Sequence, residues 1–368
     1  MPFRDLKDDL DVPRHGTSVP TMATTMKDVA RQAGVDVSTV SLAINNDPRI
    51  RRETRERILS VAEGLGYRKN HLARGLRSGK SFTIGAVVGY TASAFWSEVL
   101  AGAQSVLAER DYHLLLDYAP SDARLEEMQI EALKQKRVDG FLIAPSDDDP
   151  ESPDAKPAIE HYRALEAEKM PFVFVDRFVP GLDADYVAAD NFSAARTATR
   201  HLLRLGHKRV AYVYSPHRMN TAQRERLQGY QSVMREARLE ALPWEALRPR
   251  PERSQEGLEA GRELLTDKAG KGVTAILAAT DSTAMGVLRA LHDANRAVPD
   301  DMALIGFGGA STAEYMHPPL STITLPMRTL GEQAARILMD RIEGAEGPPR
   351  HVLLPTELTV RQSCGAKR

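Results

Sequence analysis

Between Thr25 and Gly66 the apolar positions fall at helical spacing in three short clusters. The first predicts a helix over 26–33, capped by Thr25 with Asp28 three residues on, and with Val29 and Ala30 facing inward. Gly34 permits the positive φ that ends it. Asp36 suits the N-cap of a second helix over 37–44, whose Val40 and Ile44 lie four apart on one stripe. Asn45-Asn46-Asp47-Pro48 is turn chemistry. A third helix over 52–65 carries Ile58, Val61, Ala62 and Leu65 on one face and stops at Gly66.

From Ser81 the rhythm changes to short β-rich runs alternating with amphipathic helices. Strands are predicted at 83–88, 113–117, 140–144, 172–176, 210–214, 275–278 and 304–307, and helices at 95–110, 125–135, 158–168, 191–205, 223–237 and 282–294. This βαβα order predicts α/β architecture with parallel, doubly wound sheets and right-handed crossovers. The stretch is long for one sheet, so two lobes are expected. The loop at 344–349 precedes an expected terminal strand pair.

Composition adds exclusions. The chain has 368 residues and 42% hydrophobic residues, ample for a core. No run of about 18 apolar residues exists to span a membrane. The single cysteine, Cys364, excludes an internal disulfide framework, argues against a cysteine zinc site and fits the reducing cytoplasm. The net charge of −1, from 49 basic and 50 acidic residues, at first argues against a nucleic-acid partner. Residues 26–80, however, hold twelve Lys or Arg and six Asp or Glu, so they carry +6 and the rest −7. A compact basic module on an acidic body is the electrostatic footprint of DNA binding, with a solvated helix surface as the alternative. Residues 1–24, with Pro2, Pro13, Gly16 and Pro20 and no apolar signal region, are expected to be a disordered extension; Met22 and Met26 are alternative starts.

The segment Lys27-Asp28-Val29-Ala30-Arg31-Gln32-Ala33-Gly34-Val35-Asp36-Val37-Ser38-Thr39-Val40-Ser41 has the small residue, turn glycine and following apolar residue that let two short helices cross, as in a helix-turn-helix. Together with Thr54-Arg55-Glu56-Arg57-Ile58, Leu65-Gly66-Tyr67 and 70–79, it resembles the lactose-repressor/galactose-repressor family of bacterial transcription regulators. The resemblance runs from 24 to 361. It implies a helix-turn-helix head at 25–69, a hinge helix at 70–80 and a two-lobed periplasmic-binding-protein-like effector and dimerisation domain at 81–368. Val37, Ser38 and Leu42 match the family's base-reading positions. Ser38 can hydrogen-bond a base or phosphate, and Val37 can pack on a thymine methyl. Leu42 departs from the common arginine. Thr39, Ser41, Asn45 and Tyr67 are candidate phosphate contacts, with surface or capping roles as the alternative. In the hinge, Asn70 and Ala73 lie beside Leu76, which the resemblance makes a minor-groove wedge; the alternative is a linker leucine packed on the body. Gly75 stands where the family carries Ser.

Ligands in open α/β sheets bind outside the carboxyl ends of strands. Phe95 and Trp96 match the family's aromatic effector contacts, with core packing as the alternative. Arg226 matches its effector-binding arginine, and Asp281 its aspartate, with a helix N-cap as the rival for Asp281. Asp190, at an expected crossover, has the same rival. Asp176 and Arg177 end a strand toward the cleft. Gly308-Gly309 replaces the family's two aspartates at what is expected to be the second crossover, with the final crossover near Leu325-Pro326.

Enzyme motifs are absent. The position five before Gly79 in Gly79-Lys80-Ser81 is Arg74, not the glycine of a phosphate loop; no Gly-x-Ser-x-Gly elbow occurs; and no His pair has metal spacing. The resemblance therefore implies a nucleoid-associated, homodimeric repressor with a near-palindromic operator and, with the aromatic pair, a carbohydrate effector; no catalytic residue, cofactor or metal is expected. A nucleoside or purine effector, or a solute-binding protein, are the alternatives. The tail after Val360 is too short for the family's tetramerising helix, which favours the dimer.

Overall fold

The computed structural model describes residues 24–44, 46–67, 79–89, 94–119, 122–146, 155–246, 248, 250 and 252–366. Residues 1–23 of the expected extension at 1–24, Asn45, and Asn70, Ala73 and Leu76 of the expected hinge lie outside the described residues. The chain divides into two compact units, 1–74 and 75–368.

The first unit holds α1 (Met26–Ala33), α2 (Val37–Ile44) and α3 (Arg52–Gly64). The Asp28 carboxylate accepts from the backbone N–H and the hydroxyl of Thr25 at 3.0 and 2.7 Å, which starts α1. Gly34, at φ 65° and ψ 37°, ends it in the left-handed region. The Val40 N–H bonds the Asp36 carbonyl at 3.1 Å, so Asp36 stands at the N-terminal boundary of α2. Val29, Ala30, Ala33, Val40, Ala43, Ile58 and Ala62 form one buried cluster from all three helices. In so small a core the full burial of Ile58 contributes about 1.5–3 kcal/mol.

The second unit contains two six-stranded sheets. Lobe one is built on β1 (Thr83–Val88), β2 (His113–Tyr118), β3 (Phe141–Ile143), β4 (Phe172–Val175) and β5 (Tyr186–Ala189), with helices α4 (Ala94–Ala108), α5 (Ala123–Gln135) and α6 (Ala155–Ala167) between its strands. Lobe two has α7 (Asn191–Arg204), β6 (Val210–Tyr214), α8 (Thr221–Glu236), β7 (Leu242–Glu245), α9 (Arg253–Thr266), β8 (Ala275–Ala278), α10 (Asp281–Asp293), β9 (Ala303–Gly308) and β10 (Ser321–Thr324). The chain then returns to lobe one through α11 (Met327–Ile342) and β11 (His351–Leu354), and ends in lobe two with β12 (Glu357–Thr359). The strand orders are β11-β5-β4-β3-β1-β2 and β12-β10-β9-β8-β6-β7. Among the described strands only β12 runs antiparallel to its neighbour, β10. Central strands such as Val210–Tyr214 and Ala275–Ala278 are buried along their whole length, as a sheet covered on both faces requires.

Two expectations are corrected here. The last two strands do not pair with each other: β11 joins β5 in lobe one and β12 joins β10 in lobe two, so the chain crosses a third time at Pro355-Thr356. The segment Gly308-Gly309 is not a crossover, because β9 and β10 on either side of it are neighbours in one sheet. The crossings are at Asp190, at Leu325-Pro326 and at Pro355-Thr356. The Asp190 N–H donates to the Leu354 carbonyl at 2.9 Å, tying the first to the third. Phe95 of α4 and Met327 of α11 each pack against buried clusters of both lobes.

Candidate DNA-reading helix and effector cleft

The second helix of the head turns Val40 and Ala43 into the core and leaves Ser38 exposed beside Val37, which is 41% exposed. Ser38 and Leu42, four residues apart, share one face; Leu42, Thr39 and Ser41 are half-buried. A valine exposed at the start of a helix costs solvation in the free protein, and a thymine methyl is the kind of surface that relieves it. Tyr67 packs against the head core and donates its N–H to the Ala62 carbonyl at 2.8 Å. Around these residues Lys27, Arg51 and Arg57 are exposed and make no ion pair among the described residues. Arg49 instead chelates Asp47 at 2.9 and 2.8 Å and holds its carboxyl down at about 2. That pair, with the Arg55 guanidinium donating to the Asp47 and Ile50 carbonyls, fixes the turn between α2 and α3.

In the body, Arg226 lies on α8 and is 5% exposed. Its Nε donates to Asn191 Oδ1 at 2.8 Å and its Nη1 to the Ala279 carbonyl at 2.9 Å. The guanidinium carbon stands 3.9 Å from the Phe307 ring centroid, a cation–π contact. Burial lowers its pKa, while Tyr212, Asp176, Asp281 and Glu225 favour the charged form. Asn191 opens α7 directly after the first crossing, so the arginine is anchored to the hinge region. Its Nη2 makes no hydrogen bond among the described residues.

Asp281 is not the N-cap of α10. Thr280 is, accepting from the Thr283 N–H at 3.0 Å. The Asp281 carboxylate, 4% exposed, accepts from the Ala310 N–H at 2.7 Å and the Thr322 hydroxyl at 2.5 Å. Burial pushes its pKa up against these donors. The glycines at the end of β9 make room for this carboxylate. A Cβ on Gly306 would lie 2.3 Å from Asp281 Oδ1, and Gly308 and Gly309 adopt φ of 142° and 80°. The loop that lacks two aspartates is folded around the carboxylate of a third.

Trp96 is 6% exposed and belongs to the core of lobe one, with the Phe95 ring edge-on at 5.0 Å. Phe95 is the half-buried member of the pair, at the junction of the lobes. Asp176, after β4, is held at φ 73° and is near enough to Arg226 to act on it electrostatically. Arg177 beside it is 8% exposed. Asp190 caps α7, accepting from the Ser193 N–H at 2.9 Å. Sequence reasoning did not single out Thr221, whose hydroxyl joins the lobes by accepting from the N–H and donating to the carbonyl of Phe178. Nor did it single out Ser215, buried after β6. Among the described residues no group of three His, Cys, Asp or Glu side chains is placed to hold a metal, and no helix is long and apolar enough to cross a membrane.

Comparison with known proteins agrees in both units. Residues 25–70 match the profile of bacterial regulatory proteins of the lacI family, and 199–364 that of a periplasmic binding protein-like domain. The HTH-type transcriptional repressor PurR of Haemophilus influenzae (strain PittEE) is 31% identical over 343 residues, 92% of this chain and 98% of the relative. A transcriptional regulator CelR–cellobiose complex is 30% identical, with a TM-score of 0.65 over 92% of this chain and 99% of that one. The lac repressor dimer bound to operator and the anti-inducer ONPF shares the fold, with a TM-score of 0.77, 24% identity, and 94% and 100% coverage.

Proposed function

The chain belongs to the lacI family of bacterial regulatory proteins, and on that premise we propose that it represses transcription as a homodimer on a near-palindromic operator, under the control of a small polyhydroxylated effector. The observation that carries the DNA half is the presentation of Val37 and Ser38 on the outer face of α2, with Val40 and Ala43 as its anchor. A second helix held this way enters the major groove by its first residues. Thr39, Ser41 and Tyr67, with Lys27, Arg51 and Arg57, then meet phosphates, which position the head without specifying sequence. Leu76 of each hinge acts as the minor-groove wedge.

The effector half rests on Arg226. Its fork is fixed on two edges by Asn191 and Ala279 and offers Nη2 to a ligand between the lobes. With Trp96 buried, Phe95 is the aromatic surface left at the junction, which suits the apolar face of one sugar ring better than a planar base sandwiched between two rings. The relative in complex with cellobiose supports the carbohydrate class. Effector binding changes lobe closure and with it the spacing of the paired heads, so effector and operator affinities are reciprocally linked. Selection of operators from random DNA by the full-length protein, repeated with a panel of sugars, tests the reading. A palindromic consensus whose affinity one sugar changes is expected. Failure to enrich any two-fold symmetric site overturns it.

A further inference from the structure

The cleft holds a buried cation with no hydrogen-bond or ion-pair partner among the described residues. Arg177 is 8% exposed, yet its guanidinium makes no hydrogen bond and no ion pair among the described residues, and its Nε is fully enclosed without a partner. The side chain reaches the carboxyl end of β1: a Cβ added at Gly89 would lie 3.4 Å from Arg177 Nη2 and 3.7 Å from Trp96 Nε1. Opposite, after β6 in lobe two, Ser215 Oγ is also buried and unpartnered, at 8% exposure. With Arg226 Nη2, which makes no hydrogen bond among the described residues, polar groups of both lobes lie at the carboxyl edges of the two sheets.

The charges in the cleft are unequally answered. Arg226 has Asp176, Asp281 and Glu225 acting on it, and it stacks on Phe307. Asp281 is committed to Ala310 and Thr322, and Gly308-Gly309 occupies the place of two further carboxylates. Arg177, next to Asp176 in sequence, makes no ion pair among the described residues. A buried ion without a partner is retained at a large desolvation cost, and water satisfies its N–H donors without neutralising it. A guanidinium fork matches a carboxylate or phosphate bidentately.

We infer that the effector is anionic: a polyhydroxylated molecule whose carboxylate or phosphate sits on Arg177, with Ser215 and Arg226 Nη2 binding its neutral part. This rests on the effector reading above and deepens it. Replacing Arg177 should then do two things that loss of a merely structural residue would not.

The test is calorimetric titration of the full-length protein with glucose, glucuronate, glucose 6-phosphate, ribose, ribose 5-phosphate and inorganic phosphate, on wild type, Arg177→Lys and Arg177→Met. An anionic sugar is expected to bind at least about 10-fold more tightly than its neutral parent, the scale of one charge-assisted hydrogen bond. The carboxylate and phosphate arms identify the oxyanion. In Arg177→Met that ratio collapses to near one; Arg177→Lys keeps part of it. Ligand-free Arg177→Met is also expected to melt about 2–4 °C above wild type, because an unpaired buried charge has been removed. Three results overturn the inference: a neutral sugar that binds as tightly as its anionic partners, a ratio unchanged in Arg177→Met, or no binding by any anion. The first two leave the effector reading standing. That reading fails separately, when no sugar of either charge alters operator affinity.

Discussion

The hydroxyl of Thr221, the first residue of α8 in lobe two, accepts from the backbone N–H of Phe178 in lobe one at 3.3 Å and donates to the same residue's carbonyl at 3.2 Å. Thr221 is 6% exposed, so both bonds are shielded. They act as a latch between lobes in addition to the three crossings. Thr221→Val keeps the shape and removes both bonds, which together are worth about 1–3 kcal/mol. The variant is expected to open more readily. Its Phe178 amide should lose at least about 10-fold of its hydrogen-exchange protection, with the central strands unaffected. Unchanged protection at Phe178 would show that the lobes are held by other contacts.

The close packing of α4 on α11 supports a second prediction. A Cβ at Gly331 would lie 1.8 Å from the Val99 carbonyl oxygen and 2.8 Å from the Ala103 nitrogen. Both obstacles are backbone, so the helices must separate. Gly331→Ala should destabilise the body by about 1–3 kcal/mol or more, read as a lower midpoint in urea. Gly64, at the end of α3, has nothing within 4 Å of the same construction, so Gly64→Ala should leave the head unchanged or slightly stabler. Equal effects at the two sites would mean that the helix contact relaxes freely.

These glycines also explain what the hydrophobic pattern concealed. The head was legible because its signals are local: Thr25 and Asp28 start α1, Gly34 ends it, and α2 spans the predicted 37–44. In the body, α9 and α11 were not predicted. Their Gly257 and Gly331 look like helix breakers in sequence but sit against the backbones of α10 and α4. Strand β10 was hidden because Ser321 and Thr322 are polar, yet both are fully buried with partners in Ser363 and Asp281. Strand β7 contains Pro243, tolerated because it is an edge strand. Of the cleft, Arg226 and Asp281 were visible by motif. Thr221 was not, because its partner is 43 residues away in the other lobe.

Burial raises the pKa of Asp281 above the ordinary carboxylate value of 3.8. The folded state therefore binds this proton more tightly than the unfolded chain does. Its contribution to stability is fully present below the unfolded pKa and is lost as pH rises through the folded one. Asp281→Asn removes this titration. As pH rises above about 4, the melting temperature of the variant should fall less, or rise more, than that of wild type. Differential scanning calorimetry across that window measures the difference, and parallel curves would place the titration on another group.

Leu42 shares the outer face of α2 with Ser38 and is half-buried. It has no hydrogen-bonding group, so in the proposed reading the base pair opposite it is read by shape and apolar contact alone. Leu42→Arg supplies a fork that can bond guanine O6 and N7 together, which is worth about 1–3 kcal/mol against the wrong base. Neighbouring Val40 and Ala43 hold the helix in place without help from residue 42. The head should therefore fold as before, while its preferred half-site changes at one position. Operator selection on the variant should enrich guanine there by about 5- to 100-fold, symmetrically in both half-sites, with the other positions unchanged. A uniform gain in affinity for all DNA would mean instead that residue 42 lies over phosphate, and that α2 enters the groove rotated from the register proposed.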